Sequence, residues 1–75
     1  DEVFDIIFMD PPYAGEAITE VITKIAKYGI LDSSGYIIVE HSSEKPLPII
    51  DKFLVWKEKK YKTTTMTFLK LLEEE

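Results

Sequence analysis

Apolar residues along this chain recur with two different periods, and the period assigns each element. Residues 3–9, VFDIIFM, carry a run that is apolar on both faces. Such a run suits a parallel strand covered on each side. Over residues 16–28 the period changes. Ile18, Val21, Ile22 and Ile25 fall at i, i+3, i+4 and i+7 and form one stripe of an amphipathic helix. Its lysines come late, as the helix dipole prefers, and Gly29 follows as a natural C-terminal stop. Residues 32–35, DSSG, read as a turn, and residues 36–40, YIIVE, as a second short strand. A loop over 41–48 is broken by Pro46 and Pro48, and residues 47–52 read as one helical turn. Residues 53–60 and the Thr-rich 62–72 read as two strands of a hairpin turning around Tyr61-Lys62, with Trp56 expected in the core.

The predicted order is therefore β-α-β-short α-β-β. The first two strands are parallel with a right-handed crossover, and the last two form an antiparallel pair. That is half of a mixed α/β sheet rather than a complete doubly wound domain. The chain opens on Asp1, two residues before a strand of buried character, so a missing N-terminal half is expected. Residues 1–72 form the partial domain and the glutamates of 73–75 an acidic tail.

Composition narrows the chemistry. The chain has 75 residues, 45% hydrophobic and 31% charged, which is globular rather than disordered. No apolar run approaches the ~20 residues of a membrane span, so no membrane partner is expected. No export signal is evident either, and a cytoplasmic location is expected. Cysteine is absent and His41 is the single histidine, so no metal site is expected. The net charge is −5 and every basic residue is lysine, so the bulk of any nucleic-acid-binding surface is expected elsewhere.

The candidate chemistry lies in FMDPPYAGE, where the first strand stops at Asp10. In open α/β sheets ligands bind beyond the carboxyl ends of strands. Each proline fixes its own φ and lacks an N–H, and both Asp10 and Pro11 precede a proline and are held extended. Pro11 and Pro12 thus stiffen a loop in which the Asp10 carboxylate and the Pro11 carbonyl share one small volume. Both are acceptors, and their complement is a group with two donors, such as an exocyclic NH₂. Tyr13 adds a flat face for a base. Two acceptors on an aromatic amine favour a pyramidal nitrogen with a localised lone pair, aimed at an electrophile. The plainer reading stands beside this one: Asp-Pro-Pro as a strand-ending turn before a helix.

FDIIFMDPPY also resembles motif IV of the S-adenosylmethionine-dependent amino-methyltransferases. KYGILDSSGYIIVEH and EKKYKTTTMTFLKL resemble the segments that follow it in the RsmD family, which methylates the exocyclic N2 of a guanine in bacterial small-subunit ribosomal RNA. The resemblance covers nearly the whole chain. It implies the C-terminal half of a Rossmann-like class I methyltransferase sheet, with the last strand antiparallel between the second and third strands seen here. It implies that Asp10 and the Pro11 carbonyl grip the amino group, that Tyr13 flanks the guanine, and that Asp10 and Pro11 border S-adenosylmethionine. It implies ribosomal RNA or the small subunit as partner.

Two departures stand out. The family carries Gly where this chain has Lys62. The Gly-rich cofactor loop has no counterpart here, because Gly15, Gly29 and Gly35 cannot form G-x-G-x-x-G. The fragment alone is therefore expected to be inactive. It is also expected to self-associate as a two-fold homodimer, through the strand of residues 3–9 or the sheet face beside it.

DNA adenine-N6 methyltransferases share Asp-Pro-Pro-Tyr and are one alternative. A non-catalytic α/β interaction module is another. His41, at the end of the second strand, is a candidate substrate contact or simply a polar strand end. Lys57, Lys59, Lys60 and Lys62 form a basic patch that either touches RNA phosphate or protects a sheet edge.

Overall fold

The computed structural model describes residues 3–9 and 15–72. Five elements follow one another: β1 (Phe4–Met9), α1 (Gly15–Lys27), β2 (Leu31–Ser42), β3 (Phe53–Tyr61) and β4 (Thr64–Leu71). They build one four-stranded sheet in the order β1-β2-β4-β3. β1 and β2 are parallel, with Ile7 opposite Ile37 and Met9 opposite Val39. β4 runs antiparallel to both of its neighbours. This is the arrangement the resemblance implied, with the last strand inserted between β2 and β3.

The helix stripe packs on one face of the sheet. Ile18, Ile22 and Ile25 are buried there against Ile37, Val39 and Leu69. Val21, the fourth member of the expected stripe, lies at its margin and is exposed. The helix ends as its glycine requires. Gly29 adopts φ 64°, its N–H donates to the Ala26 carbonyl, and the Ile30 N–H donates to the Ile25 carbonyl. Together these bonds satisfy two otherwise orphaned carbonyls in a Schellman cap.

Three expectations need correction. The turn at 32–35 does not separate two elements, because β2 is a single strand of 12 residues. The turn survives as a bulge inside it: the pairing with β1 jumps from Phe4–Leu31 to Ile6–Tyr36. Within the bulge the Asp32 carboxylate accepts hydrogen bonds from the Ser34 hydroxyl and the Ser34 N–H. Those bonds, the hydroxyl first, hold the Asp32 carboxyl below its usual pKa. Gly35 then passes so close to β1 that a Cβ there would collide with the Asp5 carbonyl oxygen.

The second correction concerns 47–52, which is not helical; the only regular feature is a turn at residues 51–52, where Lys52 adopts φ 75°. Pro48 disfavours the α region for Leu47, the residue before it, so no helix starts there. The segment instead lays Leu47 and Ile50 on the core, on the same side of the sheet as α1.

Trp56 is the third correction. It is not in the core but 47% exposed, in a bulge of β3 where the register slips between Val55 and Lys57. The face it occupies is the one α1 leaves open, and Phe4, Ile6 and Phe8 are also about half exposed. The tail of residues 73–75 lies outside the described residues.

Candidate functional site

Parallel pairing places the carboxyl ends of β1 and β2 side by side, with Met9 opposite Val39. β2 then runs on through Glu40, His41 and Ser42. This is the edge at which open α/β sheets take their ligands. The segment DPPYA occupies the sequence between the last residue of β1, Met9, and the first of α1, Gly15. Asp10, Pro11, Pro12 and Tyr13 themselves lie outside the described residues. Their flanks are a strand end and a helix start, as the sequence reading required.

His41 stands on the same edge, and its surroundings define its role. Its Nδ1 lies 3.0 Å from the Ser42 carbonyl oxygen and 3.0 Å from that of Lys45. Carbonyls only accept, so Nδ1 carries the hydrogen. Its Nε2 lies 2.6 Å from the Thr67 hydroxyl, which in the neutral ring donates to it. Both ring nitrogens are thus engaged within the protein. Nearby, the Ser43 hydroxyl pairs with that of Thr65 at 2.7 Å, and the Ser43 N–H donates to the Thr63 carbonyl at 2.7 Å. The result ties the loop after β2 to the start of β4. Thr65 and Thr67 are buried, so these bonds satisfy hydroxyls that would otherwise be costly to desolvate.

Beside His41 lies an open cleft of about 250 Å³, lined by His41, Ser43, Pro46, Glu58, Lys60 and Thr65. Glu58 and Lys60 reach it from β3, opposite Thr67 and Thr65. The sequence reading did not group Glu58 with His41; the link is a cross-strand register that no local motif encodes. Among the described residues no three carboxylate or imidazole side chains converge to hold a metal ion.

The lysine patch divides between the two faces of the sheet. Lys60 lines the cleft on the α1 side. Lys57 lies on the other face, with its Nζ 5.4 Å from the centre of the Phe68 ring. Lys62 sits in the hairpin turn, 5.6 Å from the centre of the Tyr61 ring.

Comparison with known proteins places this geometry. The fold matches solved structures throughout its length. "Putative methyltransferase yhhF from Escherichia coli" superposes with a TM-score of 0.82 at 23% identity, over 97% of this chain and 42% of that one. "Conserved hypothetical protein- streptococcus pyogenes" gives 0.79 at 33% identity, over 91% and 43%. A crystal structure of "putative methylase HI0767 from Haemophilus influenzae" gives 0.77 at 26% identity, over 96% and 45%. In sequence, the chain is 40% identical over 42 residues to the Bacillus subtilis (strain 168) protein "Putative rRNA methyltransferase YlbH", a match covering 56% of this chain and 23% of that protein. The chain therefore spans less than half the length of each of these relatives. A family model described as "Conserved hypothetical protein 95" matches residues 1–70, and the chain belongs to that family, the RsmD family, with the fold of the C-terminal half of a Rossmann-like methyltransferase sheet.

Proposed function

We propose that this chain is the C-terminal part of an S-adenosylmethionine-dependent RNA methyltransferase that modifies the exocyclic N2 of a guanine in small-subunit ribosomal RNA. Residues 1–72 are then its partial domain. One observation supports this reading above the others: a strand that ends at Met9, beside a parallel partner and directly before Asp-Pro-Pro-Tyr. Every strand-to-helix turn of a βαβ unit lies at this edge; an aspartate held there by two prolines goes beyond what such a turn needs.

In this reading Asp10 and the Pro11 carbonyl each accept one hydrogen of the target amino group. They hold its lone pair in line and stabilise the positive charge that grows on nitrogen. Pro11 and Pro12 keep the two acceptors fixed, so little reorganisation accompanies the reaction. Tyr13 packs on the guanine. S-adenosylmethionine, when bound, supplies the electrophilic methyl group. The paired carboxyl ends of β1 and β2 fit one wall of its crevice, with Asp10 and Pro11 at the methionine rim. The glycines that would cradle the rest are not in this sequence, so the chain by itself is inactive. His41, with both nitrogens engaged, shapes the substrate edge by fixing the loop after β2. The enzyme would act in the cytoplasm, where ribosomal RNA is made.

The test uses the full-length parent and isotopically labelled methyl donor, on small ribosomal particles and on duplex DNA. Methyl transfer to N2 of guanine in the particles is expected, with the isolated chain inactive in the same assay. Asp10→Asn keeps the size and removes the charge, and should lower turnover by about 10²–10³ while cofactor affinity stays close to normal. Transfer to adenine N6 of DNA would instead establish the DNA reading. Normal turnover in the variant would reduce the turn to a structural feature.

A further inference from the structure

The sheet face opposite α1 carries a feature that methyl transfer at Asp10 does not use. Tyr36 on β2, Phe68 on β4 and Trp56 on β3 form one ring cluster across three strands. Trp56 meets Tyr36 edge-on at 5.1 Å and Phe68 at 5.6 Å, and Tyr36 and Phe68 lie 6.0 Å apart. Trp56 follows Val55, which pairs with the core residue Leu69, so alternation carries it to this face, and the bulge after Val55 keeps Lys57 there as well.

Lysines flank the cluster. Lys57 is opposite Phe68, Lys59 opposite Met66 and Lys70 opposite Leu54, so all three share this face. Lys70 Nζ lies 5.8 Å from the centre of the Trp56 ring. None of these lysines has a carboxylate partner among the described residues. The Glu40 carboxylate, opposite Met66, shares the face. A chain of net charge −5 thus sets three lysines around an aromatic surface in which Trp56 is exposed and Tyr36 and Phe68 are half-buried.

We propose that this face is a binding platform for unpaired RNA. A base stacks at the ring cluster, and Lys57, Lys59 and Lys70 turn their flexible ends from the rings to the phosphates. Flat aromatic surfaces accept any base, and lysines beside them follow the backbone; together these are the requirements of single-strand binding. The choice of RNA as ligand rests on the function proposed above. The platform lies on β2–β4, on the face opposite the His41–Lys60 cleft, so it would hold nucleotides away from the target base.

Trp56 is the single tryptophan of the sequence, and its emission reports on this face directly. The experiment titrates the chain with an unpaired oligoribonucleotide of roughly ten nucleotides, within the usual site size for such surfaces. Saturable quenching is expected, with the logarithm of the binding constant falling against the logarithm of salt with a slope of about 2, as three phosphate contacts would give. Lys57→Ala with Lys70→Ala should reduce that slope to about 0.7 with the circular dichroism unchanged. Trp56→Leu, followed by anisotropy of a labelled oligonucleotide, should weaken binding about tenfold.

Absence of quenching overturns the proposal. So does equal quenching by inorganic polyphosphate or by duplex RNA, since neither offers an unpaired base. The two readings fail separately. A full-length parent that methylates ribosomal particles, while RNA leaves Trp56 of this chain unquenched, removes this platform alone. Quenching of Trp56 in this chain, beside a parent that never methylates, removes the enzyme reading and leaves the platform.

Discussion

Lys62 occupies a backbone position that suits another residue. Its φ of 56° is in the left-handed region, at the first residue of the two-residue loop closed by the Tyr61–Thr64 pair. There an L side chain crowds the backbone at a cost of ~1–2 kcal/mol. The RsmD resemblance places a glycine at this point, and the φ value gives the physical reason. Lys62 offsets part of the strain by lying over the Tyr61 ring, a contact worth ~0.5–1 kcal/mol at an exposed site. A substitution series at 62 should therefore rank Gly, then Lys, then Val in stability. Urea unfolding should separate Gly from Val by ~2 kcal/mol, because a β-branched side chain tolerates this region least. A series in which Val equals Gly would show that the turn relaxes. The departure was legible in the sequence as a missing glycine. Its cost was not, since it depends on the loop length that register imposes.

At the scale of elements, the two bulges do what no periodicity announced. The stretch 32–35 was legible as a turn from Asp-Ser-Ser-Gly, but not as a turn folded into a continuous strand. That outcome depends on β1, which resumes pairing at Tyr36 after skipping the bulge. At Gly35 the backbones of the two strands lie too close to admit a Cβ. Ala there should cost about 1–3 kcal/mol, the usual range for overpacking a site that cannot open, because the obstacle is the Asp5 backbone rather than a flexible side chain. Unfolding of Gly35→Ala close to wild type would mean that β1 shifts freely against β2. The β3 bulge was equally hidden. Alternation from the buried Phe53 turns Trp56 outward; what the extra residue changes is Lys57, which then shares that face opposite Phe68. By contrast, β1, α1 and the β3–β4 pair were legible, because apolar spacing decides them without reference to partners. The end of β1 directly before Asp-Pro-Pro-Tyr was legible for the same reason, whereas the His41–Thr67 and Ser43–Thr65 links join residues over twenty positions apart.

For the molecule as a whole, the sheet is one-sided. α1 and residues 47 and 50 cover one face. The other leaves Phe4, Ile6 and Phe8 about half exposed, and β1 is an edge strand among the described residues. An edge with apolar neighbours and no lysine or proline in it is a template for another chain. The isolated chain should therefore associate at high concentration, most simply as a two-fold pair that lets one patch satisfy itself. Light scattering against concentration checks this. Replacing Ile6 and Phe8 with Lys should return a monomer, and wild type that scatters as a monomer throughout would refute it.

The position of β4 has a consequence for how the chain is made. β2 and β3 never pair with each other; each pairs with β4, the last of the four described strands to be synthesised. Until the residues up to Leu71 have left the ribosome, β3 has no partner and β2 has only β1. The hairpin can zip locally, but the insertion of β4 against β2 spans more than twenty residues and is the slow, non-local step. A released chain truncated after residue 63 would present two open strands to its surroundings, a state prone to aggregation. Chaperone demand should then persist until β4 has emerged and paired.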